Sequence, residues 1–146
     1  MPATTFLDDL LPSAGHVCGP KPAKRLSEDA AFGFKIAKEM SRLDIGQTVI
    51  IKKGTVLAVE AFEGTNEAIK RGGGLGRGEA VVVKVSKPGQ DLRFDVPCIG
   101  PDTIEIAAAS SVSAIVVEAK KTLLLGKDQI EESAEKNKVT VIAYEE

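Results

Sequence analysis

The chain has 146 residues, 43% apolar and 27% charged, with 19 Lys and Arg against 21 Asp and Glu for a net charge of −2. That is enough for one domain with a real core. The charge lacks the basic excess of a nucleic-acid binder, and no Trp, one Tyr and five Phe leave little for base stacking.

Two cysteines, Cys18 and Cys98, without CxxC spacing point to a reducing compartment, not a disulfide framework. No stretch approaches twenty apolar residues and the N-terminus lacks a signal-peptide pattern. The expectation is a cytoplasmic protein, with peripheral membrane contact left open.

In chain order, "TTFLDDLL" reads as the end of a short helix stopped at Pro12, and "PSAGHVCGPKP" as an irregular connector. Together they suggest that residues 1–26 are the linker of a preceding domain, and that 27–146 form the folded unit. His16, the only histidine, falls in that connector, which makes a catalytic triad improbable.

"LSEDAAFGFKIAKEMSRLD" predicts a helix with Ser27 as N-cap and Glu28 and Asp29 in its first turn. Phe32, Ile36, Met40 and Leu43 supply an apolar stripe flanked by Ala30 and Ala37, and Lys35, Lys38 and Arg42 decorate the rest.

"QTVIIKKGTVLAVEAFEG" predicts a β-hairpin turning at Lys53-Gly54. "TNEAIKR" follows as a short helix with Thr65 as N-cap. Glu63 and Thr65 flank a strand-to-helix turn, a common place for ligand contacts and equally a routine connection. "GGGLGRG" reads as a mobile loop. It has no following Lys-Ser/Thr and precedes a strand, so it fails as a phosphate loop.

"EAVVVKVS" is a strand. After it comes "KVSKPGQDLRFDVPCIGPDT", which packs two lysines, an arginine and three aspartates among Pro and Gly turn signals. If Asp91–Asp95 is extended, Asp91, Arg93 and Asp95 share one face and Leu92 and Phe94 the other. Two carboxylates around a guanidinium suit a hard cation and a phosphate; a polar strand face with internal ion pairs is the alternative. A Pro-Gly turn would hold Lys87 and Gln90 nearby. Cys98, between Pro97 and Ile99, is expected to be packed.

"PDTIEIAAASS" is a helix with Pro101 at its first position. Its start could take an anion, but Asp102 or Thr103 capping is the simpler reading. "SAIVVEA" and "KTLLL" are strands, "GKDQIEESAEKNK" a polar-faced helix and "VTVIAY" a last strand. The expected fold is a single α/β domain with a mixed β-sheet flanked by helices.

"KVSKPGQDLRFDVPCIGPDT", with "DIGQTVIIKKGTVLAVEAFEGTNEAIKR" before it and "AIVVEAKKTLLL" after it, resembles the LpxI-type UDP-2,3-diacylglucosamine pyrophosphatases of lipid A synthesis in Gram-negative bacteria. The likeness runs from about Asp44 to the C-terminus and covers the C-terminal domain of that two-domain family. It implies hydrolysis of UDP-2,3-diacylglucosamine to UMP and 2,3-diacylglucosamine 1-phosphate, with Mg²⁺ or Mn²⁺. It implies metal binding or water activation by Asp91 and Asp95. Lys84, Lys87 and Arg93 would neutralise the diphosphate, and Gln90, Thr103, Glu63 and Thr65 would contact sugar or phosphate. The implied partners are a lipid-linked nucleotide sugar and the missing N-terminal domain, without which turnover should be lost. A homodimer is left open. The competing reading is a non-catalytic module that grips a phosphorylated or acylated ligand.

Overall fold

Three β-branched runs, Val49–Ile51, Val81–Val83 and Ile115–Val117, have the continuous apolar character of strands covered on both faces. The computed structural model, which describes residues 11–87 and 97–146, places all three at the centre of one sheet. Chain order is β1 (Gly15–Cys18), α1 (Leu26–Arg42), β2 (Thr48–Lys52), β3 (Thr55–Val59), α2 (Thr65–Gly76), β4 (Ala80–Lys84), β5 (Cys98–Ile99) and α3 (Pro101–Ala109). Then follow β6 (Val112–Glu118), β7 (Leu123–Leu124), α4 (Lys127–Asn137) and β8 (Thr140–Tyr144).

The main sheet has six strands in the order β1-β8-β6-β4-β2-β3. β4, β6 and β8 are parallel, whereas β2 runs antiparallel to β4 and β3, and β1 antiparallel to β8. β5 and β7 form a separate parallel pair. This is the expected mixed α/β architecture with its hairpin. The hairpin turns through Lys53 (φ 48°) and Gly54 (φ 76°), the doubly left-handed turn that matches strand twist.

Alternation along each strand divides the core. Val49, Ile51, Val81, Val83 and Val116 pack under α1, while Ile50, Val82, Ile115, Val117 and Val141 pack under α2, α3 and α4. Among the described residues, one helix covers one face and three cover the other.

Four local expectations are corrected. Residues 15–18, read as part of an irregular connector, form an edge strand paired with β8. His16 lies in it, its Nε2 3.0 Å from the carbonyls of Cys18 and Gly19. The second correction concerns α1, which starts at Leu26 with Arg25 as N-cap; the Ser27 hydroxyl donates weakly to the Lys24 carbonyl instead. Its buried face is Leu26, Ala30, Gly33, Phe34, Ala37 and Met40, so the alanines lie at the centre and Leu43 is exposed. The stripe is rotated because α1 crosses very near the sheet at Gly33, where a Cβ would stand 2.5 Å from Val83.

Third, the glycine run is helical. α2 continues through Gly72, Gly73, Gly74, Leu75 and Gly76, with Gly64 as N-cap and Thr65 as first residue. A Cβ on Gly72 would stand 2.6 Å from Ile50, one on Gly73 2.1 Å from the Ser110 carbonyl, and one on Gly76 2.8 Å from Leu57. Close packing against sheet and α3 outweighs the poor helix propensity of glycine. Arg77 then ends the helix in a left-handed conformation. Fourth, Cys98 is exposed, not packed.

Candidate functional site

The strand directions fix where chemistry can gather. β3, β4, β6 and β8 all end at one edge of the sheet, and β2 begins there. α2, α3 and α4 each return to a strand's opposite end, so their N-termini also lie at this carboxyl edge. Open α/β sheets bind ligands there, where strand ends open into loops and helix amides favour anions.

The edge is built from β4 outward. Lys84 is the last residue of β4, opposite Thr48 of β2, and its Nζ donates to the Cys98 carbonyl at 3.2 Å. That bond ties together the residues on either side of 88–96. Val85 donates from its amide to the Gln47 carbonyl (2.9 Å), and Gln47 Nε2 returns a bond to the Val85 carbonyl (3.0 Å). Lys87 reaches across to Asp44, Nζ to Oδ1 2.6 Å. The Asp44 carboxyl is held below the usual carboxylate range by that bond and by the lysine's charge.

Thr65 Oγ1 lies 3.3 Å from Thr48 Oγ1 and donates to Glu60 Oε2 at 3.2 Å. Glu60 Oε1 in turn accepts from the Gln47 amide at 3.1 Å. Glu63 is bound by Arg71 from the second turn of α2, with Nε to Oε2 3.2 Å and a second, shorter bond from Nη2. Arg71 Nη2 also donates to the Val59 carbonyl. The Glu63 carboxyl is lowered chiefly by the bond from Arg71. Thr103 accepts from the Gly100 amide at 3.4 Å, so it caps α3 as the simpler sequence reading had it.

The structure therefore gathers Lys84, Lys87, Glu63, Thr65 and Thr103 at one edge. Lys84 and Thr65 are linked through Thr48. Gln90, Asp91, Arg93 and Asp95, with the turn expected at Pro88-Gly89, lie outside the described residues. Among the described residues no group of three or more His, Cys, Asp or Glu side chains converges on one point. Asp44, Glu60, Glu63 and Glu118 are each engaged by a protein donor. The described residues alone do not assemble a divalent-cation site. Leu43, Ile45 and Phe62 are exposed at the same edge, Phe62 completely. No helix of the described residues is long and apolar enough to cross a membrane.

One cluster escaped the sequence reading. Glu118 closes β6 at the carboxyl edge and is 6% exposed. Its Oε1 accepts from the Ser86 amide (2.9 Å), the Ser86 hydroxyl (2.7 Å) and Lys38 Nζ (2.8 Å). Burial raises the Glu118 carboxyl, but the bonds from Lys38 and Ser86 outweigh it and leave the group below the ordinary glutamate value. The available signal was an acidic residue ending an otherwise β-branched run, which in a buried strand demands a cationic partner.

The family model described as the LpxI C-terminal domain matches residues 13–142. The UDP-2,3-diacylglucosamine pyrophosphatase LpxI of Caulobacter vibrioides is 38% identical over 124 residues, which cover 80% of this chain and 44% of that protein. The chain thus spans less than half the length of the curated relative it matches. A match that runs from before β1 into β8 and includes the charged stretch leaves one assignment: the chain belongs to the LpxI family, in the part that forms its C-terminal domain.

Proposed function

We propose that this chain is the C-terminal, catalytic-type half of a hydrolase. It would cleave the diphosphate of UDP-2,3-diacylglucosamine to UMP and 2,3-diacylglucosamine 1-phosphate. The observation that carries the reading is the family match across residues 13–142. The gathering of Lys84, Lys87, Glu63 and Thr65 at the carboxyl edge supports it. So does the exposed apolar rim beside them, which suits a lipid-bearing substrate or a companion domain.

In this reading a water oxygen attacks phosphorus and the bridging P–O bond breaks. The protein's task is to hold the reactants and stabilise charge on the phosphoryl oxygens. Lys84, Lys87 and Arg93 meet the diphosphate, and Lys87 exchanges its bond to Asp44 for phosphate oxygens. Gln90, Thr65, Glu63 and Thr103 orient sugar and phosphate directly or through one another. Asp91 and Asp95 serve as metal donors or as the group that activates water. Mg²⁺, or Mn²⁺, would supply charge neutralisation there. The preceding domain closes the site over the nucleotide, and the protein works in the cytoplasm against the inner membrane.

Hydrolysis of UDP-2,3-diacylglucosamine with Mg²⁺ tests this, using the chain alone and joined to the preceding domain. Turnover should appear only in the two-domain protein. There, D91A or D95A should lower kcat by about a hundredfold or more with the far-UV spectrum unchanged. Ligand retention without turnover in the folded two-domain protein would replace the reading with that of a binding module.

A further inference from the structure

We propose that Glu118 and Lys38 are positioning residues that set where Lys87 emerges from the sheet, and with it the phosphate-facing lysines of the site. The inference rests on the hydrolase reading above. Once β4 ends at Lys84, ladder pairing ends with it, yet the next two residues keep a full set of bonds. Val85 is held on one side by Gln47 through both its amide and its carbonyl. Ser86 is held on the other side. Its amide and hydroxyl go to Glu118 Oε1, and its carbonyl accepts from Lys38 Nζ at 2.9 Å. Lys38 and Glu118 close the ring at 2.8 Å.

The ring joins three elements: the C-terminal part of α1, the carboxyl end of β6 and the exit of β4. Ser86 is 3% exposed and Glu118 6% exposed, so the two Ser86–Glu118 bonds are shielded from water, while Lys38 reaches them from a partly exposed position. Lys38 Nζ lies 5.6 Å from the centroid of the Phe34 ring, and Phe34 packs at 5.0 Å, tilted by 51°, against Tyr144 of β8. Lys121 adds a weaker approach to the other Glu118 oxygen at 3.7 Å.

A buried ion pair is seldom kept for stability alone, because two apolar residues of similar size serve that end as well. Here the pair grips the backbone of a single residue next to the candidate diphosphate contacts. With Ser86 fixed by its amide, carbonyl and hydroxyl, the backbone enters Lys87 in one orientation. Lys87 is therefore delivered to the side of the sheet where Asp44 meets it.

The test uses the two-domain protein and two variants. K38M/E118L removes both charges together, which leaves no unpaired buried charge to unfold the domain, and it removes every side-chain grip on Ser86. We expect kcat/KM for UDP-2,3-diacylglucosamine to fall about 10- to 100-fold. Amide exchange at Ser86 and Lys87 should accelerate while β4 and β6 keep their protection. E118Q keeps an acceptor for the Ser86 amide and hydroxyl, and should recover most of that loss. A folded K38M/E118L with wild-type kcat/KM overturns the proposal, as does an E118Q variant as slow as the double variant. If the wild-type protein hydrolyses nothing, the reaction assigned above fails, and amide exchange alone decides the grip: unchanged exchange at Ser86 and Lys87 in K38M/E118L overturns it.

Discussion

Thiol chemistry separates the two cysteines residue by residue. Cys18 is buried beneath α4, and burial, with Glu131 and Glu135 nearby, pushes its thiol up to about 11. Cys98 is exposed. A maleimide at neutral pH should label Cys98 in the native protein and reach Cys18 only after unfolding, because the thiolate reacts and Cys18 forms almost none. Peptide mapping by mass spectrometry reads the two sites apart, and native labelling of Cys18 would contradict this placement. The sequence misjudged Cys98 for a definable reason. Its neighbours Pro97 and Ile99 are apolar, but alternation along β5 sends Ile99 inward and Cys98 outward. Periodicity assigns faces, whereas the composition of a neighbourhood does not.

At the scale of elements, α2 gives the sharpest comparison between glycines. Gly73→Ala would set a Cβ 2.1 Å from the Ser110 carbonyl, and we expect it to cost about 1–3 kcal/mol. Gly74 faces open space, so Gly74→Ala should stabilise by about 0.5–1 kcal/mol through helix propensity alone. Urea unfolding midpoints at constant m measure both. Equal effects of the two substitutions would mean that the helix does not pack as described. The sequence could not supply this contrast. Local propensity marks every glycine as a helix breaker, and only the tertiary approach of Ile50, Leu57 and Ser110 shows which of them the helix needs. The hairpin at Lys53-Gly54 and the start of α3 at Pro101 were legible, because their signals are local.

At the scale of the whole molecule, the Glu118 ring couples two layers, α1 and the sheet, and so links folding to pH. The groups facing it are Lys38, Lys121 and Ser86. Its carboxyl is lower in the fold than the ordinary 4.5. The stabilisation is therefore complete above that value and is lost as pH falls through the lower folded value. The stability advantage of wild type over E118Q should hold at neutral pH and shrink below about pH 4.5, as measured by urea midpoints across that range. An advantage independent of pH would show that the carboxylate charge contributes nothing. Much of the architecture was legible in the sequence, since the β-branched runs announce a doubly covered sheet. The site was legible only in part. Lys84, Lys87, Glu63, Thr65 and Thr103 lie along one edge, but the partners that hold them there, Asp44, Thr48, Cys98 and Arg71, come from other elements of the chain.

The short strand at Gly15–Cys18 has a bearing on colloidal behaviour. It lies along β8, whose Val141 and Ala143 are buried, and occupies what would otherwise be an open row of amides and carbonyls. The two outermost strands meet their neighbours through irregular register, between His16 and Cys18 at one border and between Ile50 and Ile51 at the other. Such irregularities discourage a second molecule from adding its own strand. Four residues that read as part of a connector in sequence thus cover the outer edge of β8, and removing residues 1–26 should bare that edge and raise self-association, as light scattering would measure.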